Sequence, residues 1–268
     1  MTWLDDELTT PALCWRVERR DGVAVGLTGH DRDLTIDGVL YRAAPGMTPS
    51  AVTRGGGLDA ETMDVAGALT GAALNEADLV AGRWDGARVV LFAADWTGAG
   101  APVPLGEGTI GAVETHDGAF TAELRGVAAA LARPATEDTS AECRAELGDR
   151  RCRVPMAARR RFARVLAAEG RELTMDAAEP SADAYGGVLR WFGGANGGLE
   201  SAVSRSDGAT VVLRRAPVFT VEPGALVELI EGCDKSLATC AARFGNALNF
   251  RGEPFLPGID LLTRYPGA

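Results

Sequence analysis

The chain has 268 residues, which is long enough for two or three compact domains with a real hydrophobic core. Its formal net charge is −10, and this argues against a broad nucleic-acid-binding surface. No apolar run approaches the ~18–20 residues that a membrane helix needs. The acidic start lacks a signal-peptide pattern, so we expect the chain to fold in the cytoplasm.

The first half of the chain has the pattern of β-structure. Three Asp-Gly pairs each separate two short runs of alternating apolar residues, as β-hairpins do, at Asp21-Gly22, Asp37-Gly38 and Asp117-Gly118. The continuous apolar run over 89–92 is typical of a strand that is buried on both faces. Many short strands joined by such turns predict a β-barrel or sandwich.

Two short helices, over 70–79 and 126–133, are expected to interrupt this β-structure. The second helix should end before Pro134, because the residue that precedes a proline disfavours the helical conformation. We place the boundary between two domains at this point, with residues 1–134 on one side and 135–268 on the other.

The second domain is expected to begin with a short helix over 139–147. Strands should follow at 162–163, 173–175, 188–192, 200–206, 210–214 and 226–230. Asp207-Gly208 is interpreted as a hairpin turn between two of them. The predicted fold class is therefore mainly β with short helices: a β-barrel or sandwich amino-terminal domain and a small α+β carboxy-terminal domain.

Four of the five cysteines form two pairs with charged neighbours, Cys143 with Cys152 and Cys233 with Cys240. Cytoplasmic thiols stay reduced, and thiolates select zinc, copper(I) or iron–sulfur clusters. Structural zinc usually binds pairs that are separated by about two to four residues. These pairs are wider, which favours a [4Fe–4S] cluster over zinc; four buried free thiols are the third alternative. Cys14, alone in a strand, is interpreted as a packed core residue.

No motif indicates an enzyme. His30 stands beside Asp31 in the sequence, but no nucleophile elbow accompanies it, and we expect a loop residue. The glycine-rich runs at 55–57 and 193–198 lack the features of a phosphate loop. Several arginines between 150 and 164 are interpreted as a solvated face and as counter-charges for an anionic cluster.

Two stretches resemble a known family, the tail-tip and baseplate hub proteins of long-tailed phages, including the lambda-type minor tail proteins. The first is Cys240–Pro254, CAARFGNALNFRGEP, together with Cys233; the second is Thr28–Leu34, TGHDRDL, with the glycines and the tyrosine that follow it. The resemblance is closer to the hub proteins of gene transfer agents. Phe244, Phe250 and Phe255 are expected to pack against the sheet or shield a metal centre. Asn246 and Asn249 are expected to form turns, and donation of hydrogen bonds to cluster sulfurs is the alternative.

The resemblance implies a virion structural protein rather than an enzyme. It implies a homo-oligomeric ring, a trimer, that joins the distal tail ring protein to the central fibre or spike protein, with no sequence-specific nucleic-acid binding and no membrane span. Residues 1–134 would be the ring-forming domain and 135–268 the metal domain. The family's iron–sulfur cluster maps onto Cys143, Cys152, Cys233 and Cys240. An iron–sulfur electron-transfer or redox-enzyme subunit, and a zinc-stapled binding module, are the alternatives.

Overall fold

The computed structural model describes residues 3–5, 9–43, 48–49, 62–68, 75–98, 100–116, 119–126, 129, 134, 136–179 and 185–256. The chain divides into two compact units, Met1–Ala135 and Thr136–Ala268. No helix in these described ranges is long and apolar enough to cross a membrane.

The amino-terminal unit is built on one nine-stranded sheet. Its strands are β1 (Pro11–Glu18), β2 (Ala24–Thr28), β3 (Leu34–Ile36), β4 (Val39–Ala43), β5 (Thr48–Pro49), β6 (Thr62–Ala68), β7 (Arg88–Asp95), β8 (Val103–His116) and β9 (Ala119–Gly126). Their order across the sheet is β3-β4-β2-β1-β7-β8-β9-β6-β5. A short helix, α1 (Glu76–Val80), begins at Asn75, whose side chain accepts a hydrogen bond from the Asp78 N–H.

Both faces of this sheet are covered by apolar side chains. Val89 and Leu91 of β7 point into one buried cluster with Trp15, and Phe92 points into a second cluster on the other face. The prediction of a strand buried on both faces is therefore confirmed. Cys14 lies in the second cluster with 0% of its surface exposed, and burial raises the pKa of its thiol.

The strand pairing agrees with the predicted hairpins. β1 pairs with β2 and β3 with β4, both antiparallel, around the first two Asp-Gly pairs. β8 pairs with β9, and residues 117–118 between them lie outside the described residues. The first of the two expected helices is described over Glu76–Val80, and residues 70–74 lie outside the described part of the chain. Most of 126–133 lies outside them as well.

The carboxy-terminal unit contains a closed five-stranded barrel. Its strands are β10 (Arg160–Glu169), β11 (Glu172–Glu179), β12 (Val188–Trp191), β13 (Glu200–Leu213) and β14 (Leu226–Ile230). They follow the order β10-β11-β13-β12-β14, and β14 pairs back onto β10. Alternate residues fill the interior, among them Val165, Leu173, Leu189, Val203, Val211, Leu213 and Val227. A helix, α2 (Leu237–Ala242), follows the last strand.

The mainly β class with short helices is confirmed, but the closed barrel lies in the second unit. The hairpin predicted at Asp207-Gly208 is wrong, because β13 runs through both residues as one strand of 14 residues. Gly208 has a positive φ of 56°, and the register between β11 and β13 shifts beside it. Gly208 therefore allows a bulge within a long strand. The first part of β13 pairs with β12, and its last part pairs with β11.

The helix predicted over 139–147 is also wrong, and this segment is an irregular loop. The backbone N–H of Cys143 donates to the carbonyl of Lys235 at 2.9 Å, and that of Arg144 donates to the carbonyl of Arg251 at 3.0 Å. These donors would point to carbonyls four residues earlier in a helix. Hydrogen bonds to Lys235 and Arg251 therefore take the place of the local hydrogen bonds of a helix.

Candidate functional site

Beyond the barrel, the loop with the first cysteine pair lies along the segment with the second. The hydrogen bond from Cys143 to Lys235 connects the two segments at one point. At another point, the Asn246 side-chain amide donates to the Cys152 carbonyl at 2.6 Å, and the Asn246 N–H donates to the Cys240 carbonyl at 3.0 Å. Cys143 is therefore tied close to Cys233, and Cys152 close to Cys240.

All four thiols of these pairs are free. Cys152 and Cys240 are buried, whereas Cys143 and Cys233 are half-buried. Burial raises the pKa of Cys240, and negative charge on Cys143, Cys233 and Cys152 raises it further. Burial is also the main cause of the raised pKa of Cys233. The three other predicted residues therefore lie close enough to Cys240 for their charges to affect it. Metal binding by the four cysteines stays a prediction.

Several N–H groups point at the sulfurs. The backbone N–H of Lys235 lies 3.3 Å from Cys233 Sγ, and that of Arg251 lies 3.4 Å from Cys143 Sγ. The side-chain amide of Asn246 lies 3.7 Å from Cys152 Sγ. Such N–H donors stabilise the negative charge of a thiolate, and the thiolate is the form of cysteine that binds metals.

Backbone strain is concentrated beside the same cysteines. Arg153 directly follows Cys152, and Lys235 comes two residues after Cys233; both have a φ of 62°. In the described part of the chain, Asp37 is the third non-glycine residue with a positive φ, and it lies in a hairpin turn. Strained residues cluster at functional sites, where the surrounding contacts hold them in place. At Lys235 the result is an N–H directed at a sulfur atom.

Asp149 organises the loop between Cys143 and Cys152. Its carboxylate accepts the backbone N–H groups of Glu146, Arg151 and Cys152, the last at 2.6 Å. Partial burial opposes ionisation, but these bonds lower the pKa of Asp149 below its usual value. Asp149 was not singled out in the sequence, although aspartate commonly accepts the backbone N–H two residues on, as it does here from Arg151.

A buried carboxylate at the end of β14 connects the barrel to the thiol segments. Glu231 accepts hydrogen bonds from Arg159 at 2.6 Å, Arg161 at 3.0 Å and Arg243 at 2.8 Å. The guanidinium carbons of Arg159 and Arg243 lie 4.8 and 5.0 Å from the centre of the Phe244 ring. Phe244 also packs against the cluster that contains Cys152, so this group of charges lies directly behind the thiols.

Two glycines allow the cysteine segments to pack backbone against backbone. A Cβ atom added to Gly232 would lie 2.0 Å from the Gly187 nitrogen and 2.1 Å from the Tyr185 oxygen. A Cβ atom added to Gly252 would lie 2.6 Å from the Glu142 oxygen. Each glycine is adjacent to a segment that positions a cysteine, and neither position has room for a side chain.

The other side chains singled out in the sequence lie in different environments. Phe244 packs near the thiols as expected, but Phe255 is 88% exposed, so the prediction that it shields the site is wrong. Asn246 does more than form a turn, because its amide reaches Cys152. His30 lies in a loop, where Nδ1 accepts the backbone N–H of Arg32 at 3.1 Å.

Among the described residues, no three His, Cys, Asp or Glu side chains form a group that could hold a single metal ion. Zinc binds sulfur at about 2.3 Å, so four ligands of one zinc ion would lie within about 4 Å of one another. An inorganic core with several metal atoms needs more separation between the sulfurs.

Comparisons with known proteins cover nearly the whole chain. The family model described as "Baseplate hub protein, N-terminal attachment domain" matches residues 1–155. A model described as "Phage conserved hypothetical protein BR0599" matches residues 185–260, which include β12 to β14, Cys233 and Cys240. A chain in the solved structure "Virion of native gene transfer agent (GTA) particle" is 35% identical, with a TM-score of 0.83, over 99% of this chain and 94% of that one. No curated protein gives a significant match.

Proposed function

The chain belongs to the baseplate hub protein family, and on this premise we propose that it is a structural hub of a phage-like tail. In this role, copies of the chain form a ring, a trimer, that joins the distal tail ring to the central fibre or spike complex. The role is non-enzymatic, and the protein is a component of the virion. The match to the hub attachment domain, which spans the amino-terminal unit, supports this function. The similar chain from a gene transfer agent virion supports it over nearly the whole length.

We further propose that Cys143, Cys152, Cys233 and Cys240 hold an iron–sulfur cluster, [4Fe–4S], that braces the carboxy-terminal unit. The observation that carries this proposal is the set of hydrogen bonds that ties the two thiol segments together, from Cys143 to Lys235 and from Asn246 to both Cys152 and Cys240. Four thiolates in one region repel one another, and because they are partly buried, they need a cationic core to stabilise them. The N–H groups directed at Cys143, Cys152 and Cys233 suit thiolate ligands. When bound, the cluster would supply iron–thiolate bonds that cross-link two distant segments of the chain.

The spacing of the thiols favours a cluster over zinc. The two pairs are separated by eight and six residues, wider than the two to four residues usual for structural zinc. The three arginines around Glu231 also suit an anionic centre, because they place excess positive charge behind Phe244. This arrangement gives the basic stretch near 159–161 a role within the molecule.

The metal assignment is tested by anaerobic purification of the full chain. We expect brown protein with a broad visible absorbance shoulder, and iron and sulfide in equal amounts near four per chain. Colourless protein with one zinc per chain would contradict the assignment.

The hub assignment is tested separately in isolated particles. Mass spectrometry should detect the chain in them, and antibody labelling in electron micrographs should place it at the tail tip. Particles that assemble fully without the chain would overturn this function, whatever metal the chain binds.

A further inference from the structure

One wall of the barrel carries two exposed aromatic side chains that touch. Phe162 of β10 is 64% exposed and Phe192, which follows β12, is 52% exposed. Their ring centres are 5.7 Å apart, across β14. Exposed aromatic side chains grouped on a sheet surface mark sites of protein association.

Arginines surround this aromatic pair. Along β10, Ala163 and Val165 point into the barrel, so Arg160 and Arg164 share the outer face with Phe162. On the other side of β14, Arg190 lies opposite Glu228. We call the outer face formed by Phe162, Phe192, Arg160, Arg164 and Arg190 the aromatic–arginine wall.

One acidic side chain within the wall, Glu228, is hidden from solvent. The Glu228 side chain is only 7% exposed, and it lies 3.8 Å from Arg160 and 3.2 Å from Arg190. The guanidinium side chains of these two arginines remain 47% and 40% exposed. Glu200 is 54% exposed and bonds Arg190 at 2.7 Å, so the basic part of the surface that a partner would meet is centred on Arg160 and Arg164, beside the aromatic pair. Arginine and aromatic residues are the types enriched in the cores of protein interfaces.

The sequence has a strong charge asymmetry that complements this wall. Residues 1–135 contain 10 arginines and 19 acidic residues, a formal net charge of −9. Residues 136–268 contain 17 basic and 18 acidic residues, a formal net charge of −1. Each copy of the chain thus combines a strongly acidic unit with a unit that displays a basic, aromatic wall.

We propose that the aromatic–arginine wall of one copy binds the acidic amino-terminal unit of a second copy. The inference rests on the hub function proposed above, and it assigns the surface through which the copies meet. A ring requires heterologous contacts, in which one patch of each copy meets a different patch of the next. A basic wall and an acidic unit in the same chain meet this requirement, and attraction between them fixes the direction of assembly.

Self-association of the purified full-length chain tests this proposal. Sedimentation should show association that strengthens with protein concentration and weakens as salt rises from about 50 mM to 500 mM. Arg164→Glu and Phe192→Ser should each weaken it at least tenfold. Both substitutions leave the arginines that neutralise Glu228 in place, and Arg164→Glu removes one exposed side-chain bond to the Gly224 carbonyl, so the barrel should stay folded. Arg214→Glu reverses an exposed charge beyond the end of β13, across the barrel from β14, and should leave association unchanged.

A photo-crosslinker identifies the second surface. With p-benzoyl-phenylalanine in place of Phe192 and a mixture of ¹⁴N- and ¹⁵N-labelled chains, we expect mixed-isotope crosslinks to residues within 1–135. A chain that stays monomeric at all concentrations, or crosslinks that fall within 136–268, would overturn the proposal. The same crosslinker in assembled particles separates the two hypotheses. Crosslinks to another particle protein would refute the copy-to-copy contact and leave the hub role standing, whereas absence of the unmodified chain from particles would refute the hub role.

Discussion

Three arginine side chains bond the carboxylate of Glu231 and so fix the two ends of the segment that contains Cys233 and Cys240. Glu231 is buried, and its partners come from the start of β10 and from the end of α2. A buried carboxylate with several charge-assisted hydrogen bonds is stabilised only while its partners remain. At the scale of single residues, the thiol site is therefore held by polar contacts of the protein itself as well as by any metal.

Gly232 is the residue at which the space is most restricted. We expect Gly232→Ala to destabilise the carboxy-terminal unit by about 3 kcal/mol, because the added Cβ can only be accommodated by a backbone shift. The new atom would lie 2.0 Å from the Gly187 nitrogen. Urea unfolding of the full chain measures the loss. Gly193→Ala is the matched control, since nothing lies within 4 Å of its added Cβ. Equal unfolding midpoints for the two variants would contradict this view of the packing.

At the scale of elements, an irregular loop over 139–147 takes the place of the expected helix and packs against the segment over 250–254. Arg144 in the loop donates two hydrogen bonds to the Glu253 carboxylate, at 2.6 and 2.8 Å. The Ser140 N–H donates to the same carboxylate at 3.0 Å. Such a two-pronged contact fixes orientation as well as distance. It closes the loop over the segment whose Arg251 N–H reaches Cys143.

This closure should depend on pH. The hydrogen bonds from Arg144, followed by that from Ser140, lower the pKa of Glu253 from 4.5 to about 2. A carboxyl group whose pKa is lower in the folded state contributes its full stabilisation above about pH 4.5 and loses it as the pH falls towards 2. Thermal unfolding between pH 5 and 2 should therefore show a shallower loss of stability for Glu253→Gln than for the unmodified protein. Parallel curves would show that the contact contributes nothing.

At the scale of the whole molecule, neither sheet crosses the division between the two units in the part of the chain that the structure describes. The nine strands of the first sheet lie within residues 1–135, and the barrel lies within 136–268. Each unit has its own buried core. Units of this size with separate cores can unfold independently.

Removal of one ligand should accordingly affect one unit. We expect Cys240→Ser to lose the metal and lower the unfolding temperature of the carboxy-terminal unit, while the amino-terminal unit keeps its own transition. Metal analysis and calorimetry of the full chain measure both effects. Cys14→Ser is the matched control: it removes a buried thiol of the other unit and should retain the metal. A Cys240→Ser protein with full metal content would refute the ligand assignment.

Local signals in the sequence were sufficient for most strands and their turns. Alternating residues in β1 and β2 and the Asp-Gly pair between them contain the information for that hairpin within a short stretch. The same signal failed at Asp207-Gly208, because the strands on either side of β13 pair with different parts of it. The composition of a turn is local, whereas the pairing that keeps a strand continuous through it is not.

The sequence by itself determined a mainly β chain with two pairs of thiols too widely spaced for an ordinary zinc site. Only the tertiary structure decided where the thiols lie, since the bonds that position them join residues far apart in the chain. The Cys143 N–H meets Lys235, and Asn246 meets Cys152, across the whole stretch of sequence that forms the barrel. No local pattern encodes such contacts, because each depends on the path of all the strands in between.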